Sequence, residues 1–206
     1  MARSVFFSFA YSDVKNFKVN VVRQSWLLKN KEETFVDGSI WEKSKTKGDE
    51  YIKKLIDNGL KDTSVTAILI GDETANRRWI NYEVIKSFDK GNGILGIHIN
   101  RIKGTTGLTA RGLNPLDRLG FQISEDGSKI YFYELKNNKW KSFADLPVIN
   151  NKKSNTLYFD DHWWHGNEYG EFFKFSDKFG TYCWDLDEGY ENFASWVKQS
   201  AEEAGR

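Results

Sequence analysis

Residues 64–70 read SVTAILI, a nearly unbroken apolar run enriched in β-branched side chains. A strand with only one buried face would alternate polar and apolar residues, so this run predicts a strand covered on both faces, as in a parallel sheet. ILGIHI at 94–99 has the same character. The intervening RRWINYEVIKSF, 77–88, carries helical periodicity and is closed off by Gly91 and Gly93. Upstream, SVFFSF at 4–9 and ETFVD at 33–37 read as two further strands. Ser12 and Asp13 offer an N-cap to a helix of about four turns with Val14, Phe17, Val21 and Leu28 on its inward face. A second helix starts at Asp49, turns Ile52, Leu55 and Ile56 inward, and is expected to stop at Gly59. Strands alternating with helices predict an open, mostly parallel α/β sheet with right-handed crossovers and helices on both faces.

Downstream the pattern changes. Residues 101–120, RIKGTTGLTARGLNPLDRLG, have no usable period and read as a long loop. SKIYFYELKNNKWKSF resembles a β-hairpin turning around Lys136 to Asn138, and residues 151–178 are aromatic and polar without a clear assignment. TYCWDL at 181–186 is the expected last strand of the sheet. The closing GYENFASWVKQSAEEAG places Tyr190, Phe193 and Val197 at helical spacing, with Trp196 beside them. The expected organisation is a single domain over 1–206, with its core in 1–120 and about 179–206 and a β-rich aromatic insertion over about 121–178.

Bulk composition narrows the function classes. Thirty basic residues stand against 29 acidic ones in 206, so no strong field draws this chain to nucleic acid or an anionic membrane. Cys183 is the only cysteine, which excludes an internal disulfide framework. The N-terminal segment lacks a signal-peptide pattern, and no stretch approaches the roughly 18 apolar residues of a membrane helix. These features predict a cytoplasmic protein.

In open α/β sheets, ligands bind beyond the carboxyl ends of the strands, where the strand order reverses. Here those loops are Ser8 to Asp13, Asp37 to Trp41, Gly71 to Arg78 and the segment after Asn100. On the helix that follows SVTAILI, Ile80, Val84 and Phe88 define the buried arc, while Trp79 and Glu83 share a flank at its edge. That geometry predicts a semi-buried carboxylate near the sheet rim. Taken alone, a helical Glu is more simply explained as a surface partner of Lys86 or Lys90.

FFSFAYSD at 6–13 resembles the first box of TIR domains, and WINYE at 79–83 matches the WxxxE pattern that carries the glutamate of NAD-consuming TIR enzymes. The ordered series DGSIWE, KGDEYIKKLIDNGL, TSVTAILIG, RRWINYE, GNGILGIHI and GLNPLD, with WDLDEGYENFASWV near the C-terminus, is similar to the ThsB-like TIR subfamily of Thoeris antiphage defence. The resemblance implies a flavodoxin-like fold and cleavage of the nicotinamide–ribose bond of NAD+, taken as a substrate with no cofactor or metal. Glu83 would be the catalytic residue. The resemblance and the loop positions together nominate Phe6, Ser8, Phe9, Ala10, Tyr11, Asp37, Ser39, Trp41 and Trp79 as substrate-binding candidates. Burial in the core explains Phe6 and Phe9 equally well, and Trp79 is more simply a brace for its helix. The implied product is a cyclic ADP-ribose isomer that activates a separate effector. ADP-ribosyl transfer to a small nucleophile such as histidine, and a non-catalytic TIR scaffold that self-associates, are the alternatives.

Other signals are weaker. HWWH at 162–165, preceded by Asp160 and Asp161, offers two histidines but no third soft ligand at a recognisable zinc spacing. Cys183 reads as a small buried residue. Glycines 104, 107 and 112 do not form a dinucleotide fingerprint. Arg101, Lys103, Arg111 and Arg118 make the long loop basic, which solvation explains as readily as pyrophosphate binding. A receiver domain needs an acidic cluster at the strand ends, and SFAYSD supplies only Asp13.

Overall fold

A computed structural model describes residues 4–29, 35–38, 41, 46–151 and 169–206. The HWWH segment and Ser39 lie outside the described residues. Five strands form a parallel sheet: β1 (Val5–Phe9), β2 (Phe35–Asp37), β3 (Val65–Ile70), β4 (Gly93–His98) and β10 (Thr181–Cys183), in the order β10-β4-β3-β1-β2. The strand order reverses between β1 and β3, so a ligand crevice is expected beyond their carboxyl ends. Every residue of β1, β3 and β4 is buried, as the continuous apolar runs require.

Alternate side chains feed two cores. Val5, Phe7 and Phe9 of β1 join Val65, Ala67 and Leu69 of β3 against α2 (Lys18–Lys29) and α5 (Gly189–Glu203). Phe6 and Ala10 join Ile68 and Ile70 against α3 (Asp49–Leu60) and α4 (Arg78–Lys90). Helices thus cover both faces, in the flavodoxin-like arrangement that the TIR resemblance implies.

Several local expectations are corrected. The first helical region is two helices, α1 (Tyr11–Lys15) and α2, broken where Phe17 takes a left-handed φ of 62°. That break shifts the helical phase: Val19, Val22 and Trp26 are buried, whereas Phe17, Val21 and Leu28 are exposed. Gly59 does not stop α3, which runs on to Leu60. A Cβ at Gly59 would lie 3.2 Å from the Phe6 ring, so this glycine serves the close approach of helix to strand. On α5, Phe193, Trp196 and Val197 face inward as expected, but Tyr190 is half exposed in the first turn.

The insertion contains an antiparallel sheet of β5 (Leu119–Ile123), β6 (Lys129–Lys136), β7 (Lys139–Ser142) and β9 (Phe172–Lys174), with β8 (Val148–Asn150) also pairing with β6. The expected hairpin joins β6 to β7, and both Asn137 and Asn138 at its turn have positive φ, as a two-residue hairpin loop demands. This sheet packs on α4: Phe88 stacks on Phe121 at 5.3 Å and meets the edges of Phe132 and Phe175 at 5.7 and 5.5 Å.

Candidate active site

The turn after β3 aims α4 across the sheet. Gly71 N donates to Thr74 Oγ1 at 2.9 Å, and that hydroxyl donates to Leu69 O at 3.3 Å, fixing the exit from the strand. From there α4 runs back over β1 and β3 until Gly91, in the left-handed conformation, ends it. Along this path Glu83 arrives above Ser8.

Glu83 is fully buried, which corrects the expected semi-buried flank position. The helical wheel locates its Cα, but not the chain that closes over it. Trp41 and Gly38 supply that cover. Ser8 Oγ donates to Glu83 Oε2 at 2.5 Å, and Trp41 Nε1 donates to Oε1 at 2.8 Å. Each carboxylate oxygen thus accepts one hydrogen bond from a neighbouring side chain. The helix beneath is held as well: Ser87 Oγ donates to Glu83 O at 2.6 Å and lies 2.7 Å from Thr66 Oγ1 of β3.

Gly38 lets the backbone pass over this carboxylate. A Cβ there would meet Phe7 O at 2.8 Å, Glu83 Oε1 at 2.9 Å and the Phe6 ring at 3.0 Å. The crevice bounded by Phe6, Gly38, Trp41, Leu55 and Ile56 is pinched, with no room for even a water molecule. Glu83, fully buried, is sequestered in this conformation.

The structure gathers Phe6, Ser8, Asp37 and Trp41 around this point. Asp37 lines the crevice and pairs with Arg23 at 3.1 Å; burial pushes its carboxyl up, and Arg23 partly offsets the shift. Phe9 points into the opposite core with α2 and α5, so it does not share a wall with Glu83. Ala10 is buried in the same core as Phe6, and Tyr11 is partly exposed beyond the strand end. Trp79 stacks under Arg78, with 4.4 Å from the guanidinium to the ring, and meets the edge of Tyr82 at 6.0 Å. It braces the start of α4. Gly38 is the contact that sequence reasoning missed, although the Asp-Gly pair at a strand end was a usable signal.

A second polar group sits at the same end of the sheet. Asp13 is buried beside Gly71, whose missing side chain makes space for it: a Cβ there would fall 2.1 Å from Asp13 Oδ2. Burial raises the Asp13 carboxyl to about 6, although nearby Lys18 pulls the other way. Lys18, itself fully buried, ties the long loop down by donating to Asn100 O at 3.1 Å and Thr109 Oγ1 at 2.8 Å. Among the described residues no group of three or more His, Cys, Asp and Glu side chains is placed to hold a metal, and no helix is long and apolar enough to cross a membrane.

Residues 6–103 match the family described as the Thoeris protein ThsB, TIR-like domain. A protein of Bacillus cereus (strain MSX-D12), provisionally named cyclic ADP-D-ribose synthase ThsB1, is 43% identical over 202 residues, an overlap that takes in 96% of this chain and 100% of that protein.

Proposed function

This chain belongs to the ThsB TIR-like family, and from that premise we propose that it cleaves NAD+ to nicotinamide and a cyclic ADP-ribose isomer, with Glu83 as the catalytic carboxylate. The observation that carries this reading is the position of Glu83: a buried carboxylate, held by a donor on each oxygen, next to the point where the strand order reverses.

The chemistry asks for little more. Glycosidases ordinarily use two carboxylates because a poor leaving group must be protonated while an oxocarbenium-like centre is stabilised. Nicotinamide departs differently. When the bond from the ribose anomeric carbon to the pyridinium nitrogen breaks, its electron pair neutralises the ring, so no general acid is needed. The positive charge left on the sugar is what Glu83 stabilises, more strongly in a water-poor site than in solvent. A hydroxyl of the adenosine ribose in the same molecule then attacks the anomeric carbon and releases a proton, closing the ring. Water in its place would give ADP-ribose.

Since Glu83 is fully buried beneath them, the Trp41 indole and the backbone at Gly38 must move aside before a ribose can touch it. Ser8 stays in place on β1 and keeps one carboxylate oxygen oriented. A diffusible cyclic product implies a separate effector that senses it, consistent with a role in antiphage defence. Mass spectrometry of the purified protein with NAD+ tests the product: cyclisation yields a species one water lighter than ADP-ribose. ADP-ribose alone would reduce the proposal to a glycohydrolase.

A further inference from the structure

A second cavity, of about 180 Å³, lies between the N-terminal turn of α4 and the antiparallel sheet. Ala75, Arg78 and Asn81 form its helix side, and Arg118, Glu134 and Lys136 its sheet side. Residues 81 and 83 are separated by about 200° around a helix. The cavity therefore opens on the flank of α4 opposite Glu83, which is not among its lining residues.

Three independent features of this cavity point to the same ligand chemistry. The N-cap of α4, Arg77, makes no side-chain cap, and the first turn holds no acidic residue, so this 13-residue helix supplies no capping or acidic side chain of its own to its positive end. Asn81 is 8% exposed, and its Oδ1 has no hydrogen-bond partner among the described residues. A buried carbonyl oxygen in that state lacks a donor. Arg118 gives Nη2 to Leu135 O at 2.9 Å and makes no ion pair among the described residues. The other charges in the wall are matched: Arg78 by Asp145 and Asp49, and Lys136 by Glu134. What the cavity offers is thus a guanidinium with no ion-pair partner among the described residues, an open helix N-terminus and an acceptor waiting for a hydroxyl.

We propose that this cavity binds a small hydroxyl-bearing phosphate monoester, its phosphate against Arg118 and the first turn of α4 and its hydroxyl donating to Asn81, at a site separate from Glu83. A helix N-terminus beside a guanidinium fork favours phosphate oxygens, which accept several hydrogen bonds at once. The volume suits a fragment far smaller than a dinucleotide. An occupant here bears on the first turn of the helix that carries Glu83, so it is placed to tune that helix. The inference stands without NAD cleavage.

Calorimetric titration of the full-length protein with glycerol phosphate and with inorganic phosphate tests it. The expected result is saturable one-to-one binding of glycerol phosphate, about tenfold weaker in Arg118→Gln and in Asn81→Leu. Inorganic phosphate should feel the Asn81 change less. Glu83→Gln should bind as the wild type does, and saturating NAD+ should not displace the ligand. Should Arg118→Gln fail to fold, Arg118→Lys, which keeps the charge but loses the fork, must show the same weakening. Absence of saturable binding overturns the proposal, as does binding undiminished in both cavity variants. Displacement by NAD+ also overturns it, by assigning the cavity to a phosphate of the dinucleotide itself.

Discussion

Ser8 on β1 and Glu83 on α4, 75 positions apart in the chain, are joined by a 2.5 Å hydrogen bond from Oγ to Oε2 in a fully buried setting. This bond ties β1, beside the point where the strand order reverses, to the carboxylate proposed to do the chemistry. Ser8→Ala leaves that oxygen without its donor. Stability should fall by about 1–3 kcal/mol in chemical denaturation. Nicotinamide release by the folded fraction should fall by about tenfold. A variant with unaltered stability and turnover would show the bond to be incidental.

Phe88 couples the two sheets, since one ring from α4 touches Phe121, Phe132 and Phe175 from the insertion. Phe88→Ala is expected to cost about 3–5 kcal/mol. If the parallel and antiparallel sheets unfold together, far-ultraviolet circular dichroism and tryptophan fluorescence will follow a single shifted transition. Two separated transitions would mean that the insertion folds as its own unit.

Asp13 gives stability a pH dependence of unusual sign for a carboxylate. Burial raises it from 3.8 to about 6, so the folded state holds the proton more tightly than the unfolded chain does. Its contribution is most favourable below about pH 4 and is lost as pH rises through about 6. Asp13→Asn, which stays neutral, should therefore be more stable than wild type at pH 8 by roughly 1–3 kcal/mol, and the difference should vanish below about pH 4. His98 acts oppositely. Burial, with Arg111 nearby, lowers it to about 4, so its contribution is lost as pH falls from 6.5 towards that value. Denaturation midpoints of the variant and the wild type across pH 4–8 separate the two.

The fold was legible because its strands are buried on both faces, and SVTAILI and ILGIHI announce that environment without help from tertiary context. Helix faces were less legible. The spacing through residues 12–28 fits one constant period, yet the backbone breaks at Phe17, and no propensity marks an aromatic residue for a left-handed turn. The aromatic insertion was also opaque: β9 is three residues long and is a strand only because β5 lies beside it. For the candidate site, WINYE nominates Glu83, and the strand-end rule adds Ser8 and Trp41, which the structure places on its carboxylate. What the sequence concealed was depth. Glu83 lies on the helix edge by periodicity, and it is buried by Gly38 and Trp41, more than forty residues earlier, the glycine approaching so closely only because it has no side chain.

The most direct measurement compares nicotinamide release from NAD+ by the purified wild type and by Glu83→Gln, at equal concentrations of folded protein. The change removes the negative charge proposed to stabilise the ribosyl cation while keeping nearly the same shape, so turnover should drop by about a hundredfold or more with the unfolding midpoint largely retained. Equal rates for the two proteins would contradict the assignment of Glu83 as the catalytic carboxylate.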